Sequence, residues 1–239
     1  MSSLANTTKA ALQSVSTATL ATALFKRGLR NQVLQNVLPL QTGSQNMVGP
    51  AFTLRYIPAR EDLNPLAVFE NHDHPQRAAI EACPPGAVMV IDSRNDPRAA
   101  SAGSILITRL MVRGAAGIVT DGGFRDSTEI AELDFSSYHQ RPSAPTNLTL
   151  HQAIDIDVPI GCGGVPVFPG DIIVGDGEAV IAVPAHMADA VATEAQEMTV
   201  FEDFVTEQVQ QGRSIIGLYP ATDDQVRADF AAWRDRHQR

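Results

Sequence analysis

The 239-residue sequence is poor in the residues that build disulfide frameworks and metal–thiolate sites. It contains two cysteines, Cys83 and Cys162, which stand in apolar surroundings and lack the spacing of metal ligands. We predict that both are buried free thiols, as is usual for proteins of a reducing cytoplasm. The cysteine content therefore indicates a cytoplasmic protein.

Long apolar runs and basic runs are also missing. No stretch of about 18 or more apolar residues occurs, and the N-terminal segment lacks the apolar core of a secretion signal. The formal net charge is -9, whereas binding to nucleic-acid phosphates needs clustered Lys and Arg. We therefore expect no membrane span and no nucleic-acid partner, but a small-molecule or protein partner.

Apolar residues make up 44% of the sequence, which is enough for a sizeable core. A helical pattern runs over residues 7–28 and ends at Gly28, a residue typical of helix C-termini. Its apolar positions are Leu12, Val15, Leu20, Ala23 and Leu24. This pattern predicts one N-terminal helix.

A strand–helix–strand pattern occupies the centre of the chain. After a first strand pattern at residues 46–58, residues 86–92 have the composition of a second strand. Residues 101–114 have a helical pattern that ends at Gly114, and residues 116–121 form a short apolar strand. Because this alternation is compact, we predict a βαβ unit with parallel strands and a right-handed crossover.

The remaining segments complete an α/β pattern. Residues 136–147 are rich in proline and are interpreted as a loop. Residues 158–184 carry short β patterns separated by Gly- and Pro-containing turns. Helical patterns return at residues 185–211, where Gly212 ends the helix, and at residues 219–239. We predict a single α/β domain over the whole chain, with a β-rich centre and helices at both termini.

Polar residues follow both strands of the βαβ unit, at the edge where open α/β sheets bind ligands. The first strand leads to the helix start at Ser104, Ile105 and Leu106, whose backbone N–H groups suit a carboxylate. The second strand leads to Arg125, which offers a bidentate clamp for an anion. The next residue, Asp126, is an oxygen ligand suited to Mg²⁺ or Mn²⁺. The pattern predicts a site for an anion and a divalent metal ion.

Two glycines precede the Arg-Asp pair. We interpret Gly122 and Gly123 as leaving room for a ligand against the backbone. An Arg-Asp pair after a Gly-rich turn is also common in exposed loops, where it forms an incidental ion pair of little energetic consequence. The spacing of these residues leaves both interpretations open.

Three segments of the sequence resemble the RraA-like superfamily, which is named after the regulator of ribonuclease activity A. They are residues 84–94, 102–130 and 165–184. The family signature is a Gly-Asp pair at a helix start, then an Arg-Asp pair further along the chain and an acidic residue shortly after it. The positions that match are Gly103, Arg125, Asp126 and Glu129. The similarity extends over most of the chain, from about residue 10 to residue 215.

The enzymatic members of this superfamily include 4-hydroxy-4-methyl-2-oxoglutarate aldolase. The resemblance implies an α/β fold of the β/β/α swivelling type, assembled as homotrimers or homohexamers with sites at subunit interfaces. It implies a lyase that uses Mg²⁺ or Mn²⁺ to cleave or decarboxylate small 2-oxo acids through a pyruvate enolate. By the same resemblance, Arg125 binds the substrate carboxylate or oxo group, Asp126 ligates the metal, and Gly103 with the following turn contacts substrate.

Two other functions stay open at this point. The same site would serve a hydratase, dehydratase or isomerase acting on hydroxy or oxo acids. Alternatively, the chain would be a non-catalytic regulator that docks on partner proteins, as some members of the superfamily do. The presence of both Arg125 and Asp126 favours an enzyme.

Ser104 departs from the family signature, which has an aspartate here that orients metal-bound water. Serine carries no negative charge and does not act as a base near neutral pH. Carboxylates that do not contact the metal but hydrogen-bond to its ligands or bound water typically contribute about 10–100-fold to metal affinity or activity. The departure predicts weaker metal binding or a changed reaction, with decarboxylation retained better than aldol cleavage, because only the latter needs a base.

Four further residues are weaker candidates. Glu129 is either part of the site or a first-turn acidic residue favoured by the helix dipole. The resemblance places Glu202 near the metal-bound water of a neighbouring subunit. His72 and His74 form an H-x-H pair, for which a metal, substrate or interface role competes with a simple loop that enters a helix.

The last candidates lie in two other segments. Tyr138, His139 and Arg141 belong to the Pro-rich segment after the site, and long loops in such places often select substrate or contact another subunit. Arg55 lies within the first strand pattern and Arg60 follows it; both either face substrate or decorate the surface around the strand.

Overall fold

The structure, a computed structural model, describes residues 4–41 and 45–239. Helices lie at both ends of the described chain and between its central strands. The α-helices are α1 (Asn6–Ser14), α2 (Thr17–Lys26), α3 (Pro75–Ala82), α4 (Ser104–Val112), α5 (Ser127–Ala131), α6 (Ala188–Gln210) and α7 (Asp224–His237). Short 3₁₀ turns precede α3 and α6, and another spans Asn147–Thr149.

The strands are short, apart from β2, and most of them lie in the centre of the chain. They are β1 (Leu38–Pro39), β2 (Met47–Pro58), β3 (Val88–Asp92), β4 (Ala100–Ala102), β5 (Gly117–Thr120), β6 (Gly123–Phe124), β7 (Ser137–His139), β8 (Arg141–Pro142), β9 (His151–Ile156), β10 (Ile160–Cys162), β11 (Val165–Val167), β12 (Ile172–Gly175) and β13 (Val180–Val183).

Eight strands form the main sheet, in the order β1-β7-β5-β3-β2-β12-β13, with β9 also paired to β2. β3 is parallel to β2 and to β5, and β5 is parallel to β7, whereas β9, β12 and β13 pair in antiparallel fashion. The βαβ unit predicted from the sequence is confirmed by β3, α4 and β5. The β-rich centre with helices at both ends is likewise confirmed.

A second, three-stranded sheet lies beyond the carboxyl ends of the main parallel strands. It consists of β4, β6 and β8, which pair in parallel. The backbone N–H of Ala100 in β4 also donates to the carbonyl of Pro145 at 2.9 Å, which fixes the segment after β8 beside β4. Each strand has two or three residues, so this small sheet depends on long-range pairing rather than on local propensity.

The core consists of several apolar layers. α3 and α4 cover one face of the sheet with Ile80, Ile107 and Leu110, whereas α1, α2 and α6 pack against β12 and β13. The C-terminal part of α6 packs with α7 around an aromatic cluster that includes Phe204 and Trp233. The fold is therefore built around the eight-stranded main sheet, with helices packed on its faces and two smaller sheets beside it.

The predicted N-terminal helix is two helices, so that prediction is wrong. Val15 and Ser16 have extended backbone angles, and the Ser16 hydroxyl accepts a hydrogen bond from the N–H of Thr19 at 3.0 Å. Serine is a strong N-terminal cap, and here it starts a new helix. The predicted end at Gly28 is correct, since this residue has φ +83° directly after the last turn of α2.

The Pro-rich segment 136–147 is also not the predicted loop throughout, because it contains β7 and β8. β7 is a buried strand of the main sheet, held between β5 and β1. By contrast, the predicted helix ends at Gly114 and Gly212 are confirmed, and both glycines have positive φ.

Two expectations about composition are tested by the fold. Cys83 and Cys162 are buried and free, as predicted. Among the described residues, no helix combines the length and the apolar character that crossing a membrane requires.

Candidate active site

The small three-stranded sheet brings the predicted site residues together. β4 continues through Gly103 into α4, and β6 continues into Arg125 and Asp126. Because β4 and β6 are parallel, both segments leave the sheet at the same edge. The N–H of Arg125 donates to the carbonyl of Ala102 at 3.1 Å, which holds the two segments in contact.

Gly103 is required by this close approach. A Cβ atom at this position would lie 2.8 Å from Cγ of Arg125 and 2.8 Å from Oδ2 of Asp126. Both distances are shorter than van der Waals contact, so any side chain would push the Arg-Asp pair away from the start of α4. The predicted grouping of Gly103, Arg125 and Asp126 is thus a packing unit as well as a candidate site.

A cavity of about 260 Å³ opens beside this unit. It is lined by Phe69, Gln76, Arg77, Ala100, Ala102, Gly103, Ile105, Leu106, Arg125, Asp126, Thr146 and Asn147. Five of the residues predicted from the sequence are among them: Gly103, Ile105, Leu106, Arg125 and Asp126. Its charged lining consists of two arginines and one aspartate, so the cavity favours an anionic ligand.

Asp126 occupies a left-handed backbone conformation, with φ 56° and ψ 34°, directly before α5. Aspartate and asparagine adopt this conformation more readily than other non-glycine residues do, and several other described residues share it. Its Oδ2 atom accepts hydrogen bonds from the N–H of Ser104 at 3.3 Å and from the Ser104 hydroxyl at 3.4 Å. The carboxylate is thereby aimed at the beginning of α4.

Arg125 and Asp126 form a loose ion pair with each other, with 3.5 Å between Nε and Oδ2. Their side chains are 48% and 34% exposed, and pairs this open to solvent contribute little stability. The guanidinium and the carboxylate are therefore both available to a ligand in the cavity.

The donor set fits a magnesium-type ion better than zinc. Among residues 4–41 and 45–239, no three His, Cys, Asp or Glu side chains cluster in a way that would hold a metal ion. Asp126 supplies one carboxylate at the cavity wall. Mg²⁺ is commonly bound by one or two carboxylates, with water and substrate oxygens completing its shell, whereas zinc sites need several protein ligands.

The weaker candidates Glu129 and Glu202 do not line this cavity. Glu129 is exposed in the first turn of α5, which is where the helix dipole favours an acidic residue. Glu202, in α6, accepts hydrogen bonds from the hydroxyls of Thr19 and Tyr219, both at 3.1 Å. Its predicted contact with the site of a neighbouring subunit remains a prediction.

The role suggested for Gly122 and Gly123 is wrong. Both are buried, and a Cβ on Gly122 would lie 2.6 Å from Oγ of Ser101, while one on Gly123 would lie 2.6 Å from Cβ of Ser143. The space that these glycines leave is filled by the protein itself. They permit the strands to pack and do not clear room for a ligand.

Residues of the Pro-rich segment also lie outside the cavity. Tyr138 is buried and donates its hydroxyl hydrogen bond to the carbonyl of Asp176 at 3.1 Å. His139 is buried against the ring of Phe124, and burial lowers its pKa to about 4. Arg141 is exposed on β8. The expected part of these residues in substrate selection is therefore not supported.

The histidine pair and the two arginines of the first strand region are placed apart from the site as well. His72 is exposed, and His74 is buried edge-on against Phe69, in the loop that enters α3. Arg55 pairs with Asp155, and Arg60 donates two hydrogen bonds of 2.8 Å to Asp62. None of these four residues lines the cavity.

Sequence reasoning missed the far side of the cavity. Phe69, Gln76 and Arg77 come from the segment that leads into and begins α3, and Thr146 and Asn147 come from the turn after β8. The helical spacing around Gln76 and Arg77 indicates a surface helix, and no motif marks either residue. The contacts of β4 with β6, with Pro145 and with Gln76 bring these segments to the same cavity as Arg125.

Comparison with known proteins supports the family resemblance. The family model for RraA-like proteins (Aldolase/RraA) matches residues 17–182. A protein of Halalkalibacterium halodurans, provisionally named 4-hydroxy-4-methyl-2-oxoglutarate aldolase, is 34% identical over 170 residues, which cover 71% of this chain and 74% of that protein. Its name is that of a lyase.

Solved structures agree with this assignment. Streptomyces coelicolor RraAS2, described as an unusual member of the RNase ES inhibitor RraA protein family, is 28% identical with a TM-score of 0.75, covering 85% of this chain and 98% of that one. An uncharacterized protein from Pseudomonas syringae shares the fold with a TM-score of 0.76 at 22% identity, covering 90% and 98% of the two chains. The predicted α/β fold is thus confirmed, and this chain belongs to the RraA-like (Aldolase/RraA) family.

Proposed function

We propose that this protein is a divalent-metal-dependent lyase that cleaves or decarboxylates a small 2-oxo acid. The observation that carries the proposal is the convergence of Arg125, Asp126 and the start of α4 on one cavity. The lyase name of the Halalkalibacterium relative supports the same reaction class. The arrangement offers a cation, a carboxylate and free backbone donors within one small volume.

Arg125 binds and polarises the substrate. Its guanidinium presents several N–H donors in a plane that matches a carboxylate or a neighbouring oxo group. When the C–C bond of a 2-oxo acid breaks, negative charge develops on the oxo oxygen. A fixed cation at that position stabilises the developing charge, which is commonly the largest single contribution to catalysis.

The start of α4 assists in the same task. The first N–H groups of a helix have no partner inside the helix, and they carry the positive end of its dipole. Ile105 and Leu106 line the cavity at this end of α4. Their backbone N–H groups therefore suit the second oxygen of a substrate carboxylate, while Gly103 lets Arg125 and Asp126 pack directly against this end of the helix.

Asp126 would hold the divalent metal ion, with Ser104 beside it. A bound Mg²⁺ or Mn²⁺ supplies Lewis-acid stabilisation of negative charge on oxygen. The Ser104 hydroxyl donates to Oδ2 of Asp126 and so orients this carboxylate. Ser104 offers no base for removing a proton from a substrate hydroxyl, which retro-aldol cleavage needs and decarboxylation does not.

Purified protein is expected to release pyruvate from oxaloacetate, and more slowly from 4-hydroxy-4-methyl-2-oxoglutarate, in a manner that depends on Mg²⁺. A coupled pyruvate assay with added Mg²⁺ or with EDTA measures both rates. Enzyme-free reactions with the same Mg²⁺ concentration correct for spontaneous decarboxylation. Rates equal to these blanks with both substrates would sink the lyase assignment.

Replacing Ser104 with aspartate is expected to raise Mg²⁺ affinity about 10-fold, because a second carboxylate then stands beside Asp126. Cleavage of 4-hydroxy-4-methyl-2-oxoglutarate should rise relative to decarboxylation of oxaloacetate, since the new side chain can orient a base. The ratio of the two rates and the half-saturating Mg²⁺ concentration measure these effects. Ser104→Asn is the neutral control of matching size, and an equal response from both variants would contradict the idea.

A non-catalytic regulator is the second candidate, favoured by the structural similarity to Streptomyces RraAS2. A hydratase or isomerase using the same site would bind Mg²⁺ without releasing pyruvate.

We also propose that the protein assembles as a homotrimer or homohexamer. Ile105 and Val112, at 83% and 67% exposure on α4, form apolar surface that a subunit interface would bury.

A further inference from the structure

The side of the cavity that sequence reasoning missed carries two buried nitrogen atoms without a partner. They are Nη1 of Arg77 and Nδ2 of Asn147, and neither has a hydrogen-bond partner within the part of the chain that the structure describes. Both residues line the same cavity as Arg125 and Asp126. Four other buried nitrogen atoms of the described residues also lack a partner, but only these two belong to residues that line this cavity. Because buried donors are usually paired, two unpaired donors that share one cavity point to a ligand acceptor.

Arg77 is held in place by packing rather than by a counter-ion. Its guanidinium carbon lies 3.7 Å from the centre of the Phe69 ring, in a cation–π contact. Among the described residues, no acidic side chain forms a salt bridge with it, in contrast to Arg109 on the neighbouring helix, which pairs with Glu81. Burial lowers the pKa of this guanidinium.

Asn147 is fixed with its amide nitrogen as the free atom. The hydroxyl of Thr146 donates to Oδ1 of Asn147 at 3.2 Å, which occupies the oxygen end of the amide. The residue is only 5% exposed. Its backbone is anchored too, because the N–H of Leu150 donates to the Asn147 carbonyl at 3.0 Å. Nδ2 is therefore a positioned donor.

Gln76 does not compete for the same ligand. Its Nε2 donates to the Tyr56 hydroxyl at 3.0 Å and to the carbonyl of Ser101 at 2.8 Å, and all of these atoms are buried. This bonding ties the start of α3 to β4, and it fixes Arg77, the next residue, relative to the cavity. The far wall is thus a rigid element with two free donors.

We propose that Arg77 and Asn147 form a second anion-binding subsite, which selects 2-oxo acids that carry a carboxylate at the end remote from the oxo group. Arg125 and the start of α4 bind the first carboxylate, and the second subsite binds the other. The assignment rests on the proposed function for the location of the reacting end. Its new content is the pair of residues, Arg77 and Asn147, that recognise the remote carboxylate and so determine specificity.

Binding of two matched 2-oxo acids tests the subsite without any turnover. The probes are 2-oxoglutarate and 2-oxopentanoate, which differ only in a terminal carboxylate against a methyl group, and neither has the C4 hydroxyl needed for aldol cleavage. Isothermal titration with Mg²⁺ present should give a Kd for 2-oxoglutarate at least tenfold lower in the unmodified protein. Such preferences are typical where buried donors meet a charged acceptor.

Arg77→Met should remove this preference, leaving the two Kd values within about threefold of each other, while the Kd for 2-oxopentanoate changes less than threefold. Asn147→Asp, a variant of nearly the same size, should also reduce the preference, because its carboxylate repels that of the ligand. Arg227→Met, on the exposed face of α7, is the control and should keep the tenfold preference.

Three outcomes would overturn the subsite: no preference in the unmodified protein, no binding of either probe, or a tenfold preference that survives both Arg77→Met and Asn147→Asp. Should Arg77→Met fail to fold by circular dichroism, Asn147→Asp alone decides. The pyruvate assay tests the lyase reaction separately, so its outcome does not depend on the binding result. A protein that prefers 2-oxoglutarate but releases no pyruvate would keep the subsite and lose the lyase reaction.

Discussion

Arg125→Met is expected to lower kcat/KM for pyruvate release about 10²–10³-fold, mostly through kcat. This is the usual loss when one positioned donor to a developing oxyanion is removed. Methionine keeps much of the volume of the side chain, so the contacts of Arg125 with Gly103 are largely preserved while the charge is lost. Steady-state kinetics with oxaloacetate and Mg²⁺ provide the measurement.

The matched control is Arg98→Met. Arg98 is exposed between β3 and β4, pairs with Asp96 at 2.7 Å, and does not line the cavity. Its kinetic constants should stay within about twofold of the unmodified enzyme, since exposed ion pairs contribute little. If Arg125→Met kept full activity, the guanidinium would be an incidental surface charge, which is the alternative that the sequence alone leaves open.

The part of the site that lies at the carboxyl ends of strands could be predicted from the sequence. Arg125 and Asp126 follow an apolar strand, and Ser104 starts a helix after another, so their convergence follows from parallel pairing. The helix ends at Gly28, Gly114 and Gly212 could also be predicted from the sequence, because a positive φ after the last turn favours glycine.

Elements that are held by long-range contacts could not be predicted from the local sequence. β7 and β8 have three and two residues, and their extended form is imposed by β5 and β6 rather than by their Pro-containing sequence. The break between α1 and α2 has a similar cause. The Asn46 side chain donates to the carbonyl of Val15 at 2.6 Å, which satisfies the end of α1 from a distant point in the chain.

The interpretation of Gly122 and Gly123 as room for a ligand was also wrong, and no local sequence pattern marks Arg77 or Asn147 as cavity residues. A glycine pair indicates a close approach but does not tell which group approaches, and here the groups are serines of neighbouring segments. Arg77 on a short helix has the pattern of a solvated residue. The partial burial of its side chain, with Nη1 shielded from solvent, becomes evident once Phe69 and the turn at Asn147 are placed around it.

Asp121 is a buried carboxylate that joins three segments behind the site. Its Oδ1 accepts a hydrogen bond from the N–H of Ser93 at 2.6 Å. Its Oδ2 accepts from Asn95 at 2.9 Å and from Gly163 at 3.2 Å. The residue is 2% exposed. It therefore links the segments after β3 and β5 to the turn of the β10–β11 hairpin.

Asp121→Ala is expected to lower the free energy of unfolding by about 3 kcal/mol or more at pH 5. Two buried N–H groups, of Ser93 and Gly163, and the partly buried N–H of Asn95 lose their acceptor, and each unsatisfied buried donor typically costs about 1–3 kcal/mol. Urea denaturation of the variant and of the unmodified protein gives the difference. Asp155→Ala removes an exposed carboxylate that pairs with Arg55, and this control should change the unfolding free energy by less than about 1 kcal/mol.

The difference between Asp121→Ala and the unmodified protein should also depend on pH. Burial raises the pKa of Asp121 from 3.8 to about 6, so the folded state binds the proton more tightly than the unfolded chain does. The stabilisation from this group is therefore fully present below pH 4 and declines as the pH rises through 6. Urea titrations at pH 5 and pH 7 should show a smaller gap at pH 7. A gap that grows with pH would mean that the three N–H donors outweigh burial and that Asp121 folds as the charged form.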